Sequence, residues 1–275
     1  MSITLTYRGE TSLPVEIEGF VSDWACDKSL AEIERFEVFH GNRKVALAEL
    51  FSISGDAADK RIDFEGDLGG VHRIGAQMRS GEIHVHGSAG RHLGSELRGG
   101  AIVVDDDAAD WVGCEMRGGR IQIRGSAGNF VGAAYRGSPQ GMRGGTIIVE
   151  GDVGTEAGWS MADGVVAVGG AAGAMVGFNM VGGTVLVLGD AGARPGAGMA
   201  GGKIALFGAD PPAVLPSFRL DRTEKPEQLA PIVKELGEPM AMRFALELAK
   251  EMTVYVGDQL AEGTGEIYLR GAVVG

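Results

Sequence analysis

Four of the five histidines crowd into one stretch, at His72, His84, His86 and His92. His84 and His86 stand two apart on an alternating segment, so both imidazoles project from one strand face, a spacing that can chelate a metal ion. The corresponding positions in neighbouring units hold Asp63 and Glu65, Val103 and Asp105, Gln122 and Arg124. That mixture is the composition of a solvated or partner-covered face, and no metal is expected there. Asp105-Asp106-Asp107 with Asp110 could suggest calcium. Asp106, however, stands where other units place Gly, and Asp tolerates the left-handed conformation of a corner.

The motifs of catalysis are missing. There is no His-Glu-x-x-His, no Cys-x-x-Cys and no P-loop, and Gly202-Lys203-Ile204 lacks the hydroxyl residue a Walker loop places after Lys. Gly158-Trp159-Ser160-Met161-Ala162 departs from a nucleophile elbow at its last position. Gly196-Ala197-Gly198-Met199-Ala200-Gly201 matches a dinucleotide fingerprint in letters only, because a strand follows it and no helix N-terminus faces a pyrophosphate. No catalytic residue is assigned. An enzyme acting on a polymer from a coil face would cluster carboxylates and aromatics, and Trp24, Trp111 and Trp159 are spread apart in the sequence.

One charged column is more informative. Arg79, Arg98, Arg117 and Arg143 occupy one position of successive units, followed by Ala162, Val181 and Ala200. With strands ~4.8 Å apart, four guanidiniums would stack into a basic stripe. Such a stripe suits an acidic partner or an anionic ligand; pairing with Glu96 and Glu115 is the plainer alternative.

The elements that carry these residues follow from glycine. The chain has 275 residues and 47 glycines, 37 of them between positions 61 and 208. Within that window Ile83, Ile102 and Ile121 are 19 apart, as are Ile147, Val166, Val185 and Ile204. Seven residues are inserted between Ile121 and Ile147, and two between Ile62 and Ile83. Self-similarity at a fixed period is the mark of a solenoid. The alternation has period two, so the repeating elements are strands, and Gly pairs mark the corners. The expected fold is all-β: a right-handed parallel β-helix of about eight 19-residue coils over 61–208, with an N-terminal cap over 1–60 and a C-terminal helix and tail over 209–275. Met78, Leu97, Met116, Met142, Met161, Met180 and Met199 share one position and read as an inward stack filling the coil.

The outward face of the repeating strand is polar early and apolar late, at Ile148, Ala167, Leu186, Leu188, Ala205 and Phe207. A face that greasy must be covered. Pro239 starts a helix expected to run to about Met252, with Met240, Phe244, Leu248 and Met252 on one side. What this helix leaves bare of Ile148, Leu186, Leu188 and Phe207 is the expected apolar interface. In the N-terminal segment, Val38-Phe39 and Val45-Leu47 flank Gly41-Asn42 as a hairpin.

A net charge of −12 argues against a nucleic-acid partner, which needs a basic face. Two cysteines, Cys26 and Cys114, cannot make a disulfide scaffold. No run reaches the ~18 apolar residues of a membrane span, and the opening stretch to Pro14 has no apolar leader core. The expectation is a soluble, cytoplasmic chain.

The repeat, seen whole in Ile83-His84-Val85-His86-Gly87 through Arg98-Gly99-Gly100, resembles the GXGXG domain of glutamate synthase and of the C subunit of formylmethanofuran dehydrogenase. The tail, Val254-Tyr255-Val256-Gly257-Asp258 and Gly263-Thr264-Gly265-Glu266-Ile267-Tyr268, looks like the ending of that C-subunit family. The resemblance covers the whole chain, and a free-standing chain of this length is similar to the C subunit rather than to the fused glutamate synthase version. It implies a non-catalytic structural subunit, either of a molybdenum or tungsten dehydrogenase or, as the acidic, Ala/Gly-rich composition favours, of a formyltransferase/hydrolase complex of methylotrophic bacteria; a glutamate-synthase-like β-helix spacer module is the further alternative. That complex moves a formyl group from formyl-tetrahydromethanopterin to a methanofuran or methylofuran carrier and hydrolyses it to formate. The implied partners are the other subunits of a hetero-oligomer. No cofactor is expected on this chain alone, the carrier belonging to the complex.

Overall fold

The computed structural model describes residues 2–9 and 13–271; residues 1 and 10–12 of the opening stretch, and 272–275, lie outside. The chain is mostly β, built on a 13-stranded sheet. Three strands of that sheet join antiparallel: Phe51–Ser54 at one end, and Met252–Gly257 with Arg219–Glu224 at the other. The other ten run parallel, each beside the next in an unbroken series.

The register is the one the 19-residue period requires. Ile62 lies against Ile83, Ile83 against Ile102, Ile102 against Ile121 and Ile121 against Ile147. The series continues through Val166, Val185 and Ile204. A two-residue period sends these side chains inward and their neighbours outward. The inward Ile and Val residues and the whole methionine column, Met78 to Met199, are buried in one core. A second wall is a ladder of single parallel bridges, Leu68 to Ala89, Ala108, Ala127, Val153, Ala172 and Ala191.

The parallel series is longer than the glycine-rich window. Ile3–Tyr7 pairs in parallel with Arg61–Glu65, and Gly265–Arg270 with Lys203–Leu206, so Ile204 meets Ile267. The hairpin Glu37–His40 and Arg43–Ala46 turns at Gly41-Asn42 and, through Val15–Glu16, reaches Val71–His72 in a four-stranded sheet.

Each coil turns a corner in the left-handed region. Gly94, at φ +59°, has no room for a side chain: a Cβ there would lie 2.5 Å from Cδ1 of Ile121. Two residues before the corner glycines the chain is also left-handed at non-glycine residues, among them His92, Trp111 and Phe130. Asp106 is not left-handed, which corrects the expectation of an aspartate corner. Its carboxylate instead accepts a 3.0 Å hydrogen bond from Ser88. Asp107 and Asp110 accept from the backbone N–H groups of Ser126 and Asn129 one coil on, at 2.7 and 2.8 Å. These carboxylates tie coil to coil.

Two helices, Ala230–Glu235 and Met240–Leu248, lie over the late coils. The second ends four residues sooner than its apolar period suggested. Met252-Thr253-Val254-Tyr255-Val256 is β-branched and aromatic, and pairs with Gly265–Arg270 as a strand instead. No helix among the described residues is long and apolar enough to cross a membrane.

Candidate functional site: charged columns on the coil walls

The arginine column is stacked as its spacing requires. The backbone N–H of Arg98 donates to Met78, that of Arg117 to Leu97 and that of Arg143 to Met116, each one coil back. Arg79, Arg98 and Arg117 are exposed, and their guanidiniums form no ion pair with a described residue. Arg143 is half-buried and pairs with Glu115 at 3.4 Å. The plainer alternative therefore holds at one end of the column; along the rest, three guanidiniums have no ion-pair partner among the described residues, and the Asp23 carboxylate bonds only the Arg79 backbone N–H. Arg120, on the same coil as Arg117, behaves differently: it donates to the carbonyls of Glu235 and Leu236 and clamps the helical cover, and burial pushes its pKa down.

A second cluster forms on the outward face of strands Arg61–Glu65 and Glu82–His86. Asp63 lies beside His84 across the parallel pair, and Asp105 follows one coil on. His84 Nε2 is 2.9 Å from Asp105 Oδ1, and His86 Nδ1 is 3.2 Å from Asp105 Oδ2. On the opposite side His86 Nε2 is 3.0 Å from Asp63 Oδ1. Arg61 grips Asp63 with two bonds, at 3.0 and 3.1 Å, and Arg124 holds Asp105 at 2.6 Å. Burial acts to raise the Asp63 pKa, but the bonds from Arg61 and His86 outweigh it and hold the carboxyl well below the usual range. Asp105 is lowered in the same way, burial being outweighed by His84, Arg124 and His86. One donor atom from each of Asp63, His84 and His86 lies within 4.8 Å of the others, so these residues could hold a metal ion.

The remaining histidines belong elsewhere. His92 is part of an aromatic run along the left-handed corner: it lies 6.0 Å from Trp111, which stacks on Phe130 at 4.2 Å. Trp159 comes within 6.5 Å of Trp111. Two of the three tryptophans, distant in sequence, are thus neighbours in space. The 19-residue spacing of His92, Trp111 and Phe130 was the available signal. The inserted loop adds Tyr135, whose hydroxyl is 3.3 Å from His92 Nδ1. Burial, with Arg73 nearby, lowers the His92 pKa, and burial pushes Tyr135 up to about 12. Cys114 is free and buried, and burial pushes its thiol pKa up, away from the thiolate that reactivity needs.

The expected apolar interface is already occupied. Ile148, Leu186 and Phe207 are buried, and Leu188 packs beside them, against Leu229, Val233, Met240, Phe244 and Leu248 of the chain's own helical cover. This corrects their reading as a face for another chain. Two helices, where the sequence pointed to one, leave nothing of Ile148, Leu186 or Phe207 bare. The apolar side chains exposed in this region are Met242 and Leu246, on the far side of the cover.

With this geometry the chain resembles known proteins. It is 38% identical over 90 residues to the C subunit of the tungsten-containing formylmethanofuran dehydrogenase 2 of Methanothermobacter wolfeii, covering 31% of this chain and 33% of that one. It is 38% identical over 95 residues to the C subunit of the molybdenum-containing formylmethanofuran dehydrogenase 1 of Methanosarcina barkeri, covering 33% and 32%. The chain thus spans about a third of the length of the curated relatives it matches. A chain in the crystal structure of the formyltransferase/hydrolase complex from Methylorubrum extorquens, in complex with methylofuran, superposes with a TM-score of 0.86 at 27% identity, covering 97% of this chain and 98% of that one. The GXGXG motif matches residues 71–235, the coils and the first helix of their cover, and the chain belongs to the GXGXG motif family.

Proposed function

We propose that this chain is a non-catalytic structural subunit of a formyltransferase/hydrolase complex. In that reading the complex transfers the formyl group of formyl-tetrahydromethanopterin to a methylofuran-type carrier and hydrolyses it to formate. The observation that carries the proposal is the end-to-end superposition on a chain of the Methylorubrum extorquens complex. The absence of a catalytic motif in the sequence agrees with chemistry residing in other subunits, in the cytoplasm. The curated relatives favour one alternative, the C subunit of a tungsten or molybdenum formylmethanofuran dehydrogenase.

The scaffold is read as a right-handed β-helix of about eight coils over 61–208, capped by 1–60 and closed by 209–275. The parallel order and 19-residue register support this reading. Arg79, Arg98 and Arg117, with Arg143 beside them, are assigned to an acidic partner protein of the complex or to a glutamate-rich tail of the carrier. Their exposure, and the lack of an ion pair between their guanidiniums and a described residue, support that assignment.

Native purification through a tag on the chromosomal copy, followed by mass spectrometry, tests the proposal. Hydrolase and formyltransferase chains should co-purify in fixed ratio, with formyl transfer in the complex and none in the isolated chain. Recovery with a molybdenum- or tungsten-bearing dehydrogenase selects the alternative. Recovery alone, or turnover by the isolated chain, overturns both.

A further inference from the structure

We propose that Asp63, His84 and His86 form a zinc site on the outer wall of the early coils, with Asp105 as the carboxylate that orients both imidazoles. The argument begins with the hydrogen bonds. An ionised carboxylate can only accept, and Asp105 lies 2.9 Å from His84 Nε2 and 3.2 Å from His86 Nδ1. Each imidazole therefore gives one N–H to Asp105. The other nitrogens, His84 Nδ1 and His86 Nε2, are both directed to the Asp63 side, 3.9 and 3.0 Å from its Oδ1. By the same rule His86 Nε2 gives an N–H to Asp63 in the metal-free chain, and this is the proton that zinc would displace. With zinc in its place, each histidine would have the arrangement of a metal ligand, its second nitrogen donating to an outer carboxylate that fixes the ring. Here one carboxylate does this for two histidines, and Arg124 holds it in place.

The spacing suits a small ion. Four-coordinate zinc with nitrogen and oxygen donors at ~2.0–2.1 Å places its donors roughly 3.3 Å apart. The 3.0 and 3.9 Å separations bracket that value. Both histidines sit on one five-residue strand and Asp63 on its neighbour in the parallel ladder, so the backbone holds the donors without a loop having to fold around the ion. Asp63 is buried and already placed by the Arg61 Nε bond to Oδ2. Arg61 Nη2 lies 3.0 Å from Oδ1 of Asp63 and 3.5 Å from Nδ1 of His84, so it occupies the cation position and would withdraw as zinc enters. A 130 Å³ hollow lined by Arg61, Glu82, Ile83, His84, Ala101 and Val103 adjoins the site on the His84 side.

The test uses the full-length chain, stripped with chelator and titrated with zinc alone by calorimetry. One equivalent should bind per chain. Cobalt alone in place of zinc should give the visible absorption of a four-coordinate ion with nitrogen and oxygen donors, a readout that needs no variant. The double variant His84→Gln/His86→Gln should bind zinc at least tenfold more weakly and lose the cobalt absorption. Asp105→Asn, which keeps all three ligands, should weaken binding about 10–100-fold. Both variants should still melt cooperatively when stripped, which shows that the fold survives and that the lost binding is local. Failure of the wild type to bind one equivalent, octahedral cobalt, or binding by the double variant within tenfold of wild type overturns the site.

Discussion

The early and late coils share one backbone and differ in what they show outside it. The outward column runs Asp63, His84, Val103 and Gln122, then Ile148, Ala167, Leu186 and Ala205, each beside the next across the parallel ladder. The first half carries a hydrogen-bonded network of imidazoles and carboxylates, the second a buried apolar sheet under two helices. The inward column does not change character: it is Ile or Val throughout, and all of it is buried. Repetition is therefore demanded by the core alone. The outer wall is free to be written for another purpose on each coil, and here it divides into a water-facing half and a self-covered half.

The strongest way to break this comparison is to shift the register both halves share. One residue inserted between Val166 and Val168 would send every following side chain in that strand to the wrong wall. Thermal melts should show loss of the cooperative transition. The same insertion in the Ala133–Gly141 loop, which already carries the seven extra residues, should leave the melt within a few degrees. Equal losses at both sites would contradict the shared register.

Next comes the helical cover. Phe244 is fully buried against Phe207, with ring centroids 5.8 Å apart. Phe244→Ala should cost about 3–5 kcal/mol in denaturant unfolding. Met242→Ala, on the exposed side of the same helix, should fall within about 0.5 kcal/mol of wild type. If both cost the same, the helix does not seat as described.

A smaller effect reads one ion-paired carboxylate of the late half by pH. At the late end, burial acts to raise the Glu266 pKa, but hydrogen bonds from Lys203, Tyr268 and Arg222 hold it at about 2, below its ordinary 4.5. A lowered carboxylate stabilises above its unfolded pKa, and that stabilisation fades as pH falls through the folded value. Wild type should therefore lose melting temperature between about pH 4.5 and pH 2 more steeply than Glu266→Gln. Parallel curves would remove Glu266 from the account.

The smallest expected effect on folding is in the arginine column. Replacing Arg98 and Arg117 together with Gln should change stability by only ~0–1 kcal/mol, since both are exposed. The same variant should assemble poorly with its partners, or bind carrier more weakly and with a changed salt dependence. Unchanged assembly and carrier affinity at low and high salt would reduce the column to solvated surface.

The strand register was legible because period and alternation are properties of the chain alone. Every 19-residue step from Ile83 to Ile121 and from Ile147 to Ile204 became a lateral pair. Greasiness at Ile148 and Leu186 was equally plain, but composition does not say which chain provides the cover. The helix Ala230–Glu235 was missed because it is short and has Pro231 in its first turn. The His84 and His86 pairing was visible as a spacing. Its meaning was not, because the common orientation of both rings depends on Asp63 and Asp105, 21 residues to either side of His84, and on a diagonal contact that a single strand pattern does not contain. Asp106 misled for a related reason: alignment with glycine at one position implied a left-handed corner that the backbone makes elsewhere, at Trp111 and its equivalents.

The antiparallel strands at the two ends of the parallel series have a further consequence. Ten strands stacked in parallel register, with like side chains above like, are the growth geometry of an amyloid fibril. A bare terminal coil would offer its unpaired N–H and C=O groups as a template for the next molecule. Phe51–Ser54 takes up one terminus with reversed polarity, and Met252–Gly257 the other. Beyond it, Arg219–Glu224 ends the sheet in Arg-Leu-Asp-Arg-Thr-Glu, whose mixed charges oppose docking of a second sheet. The molecule has the repeat of a fibre, but at each end the parallel series gives way to a strand of reversed polarity, so the next copy of the coil does not meet its own kind there.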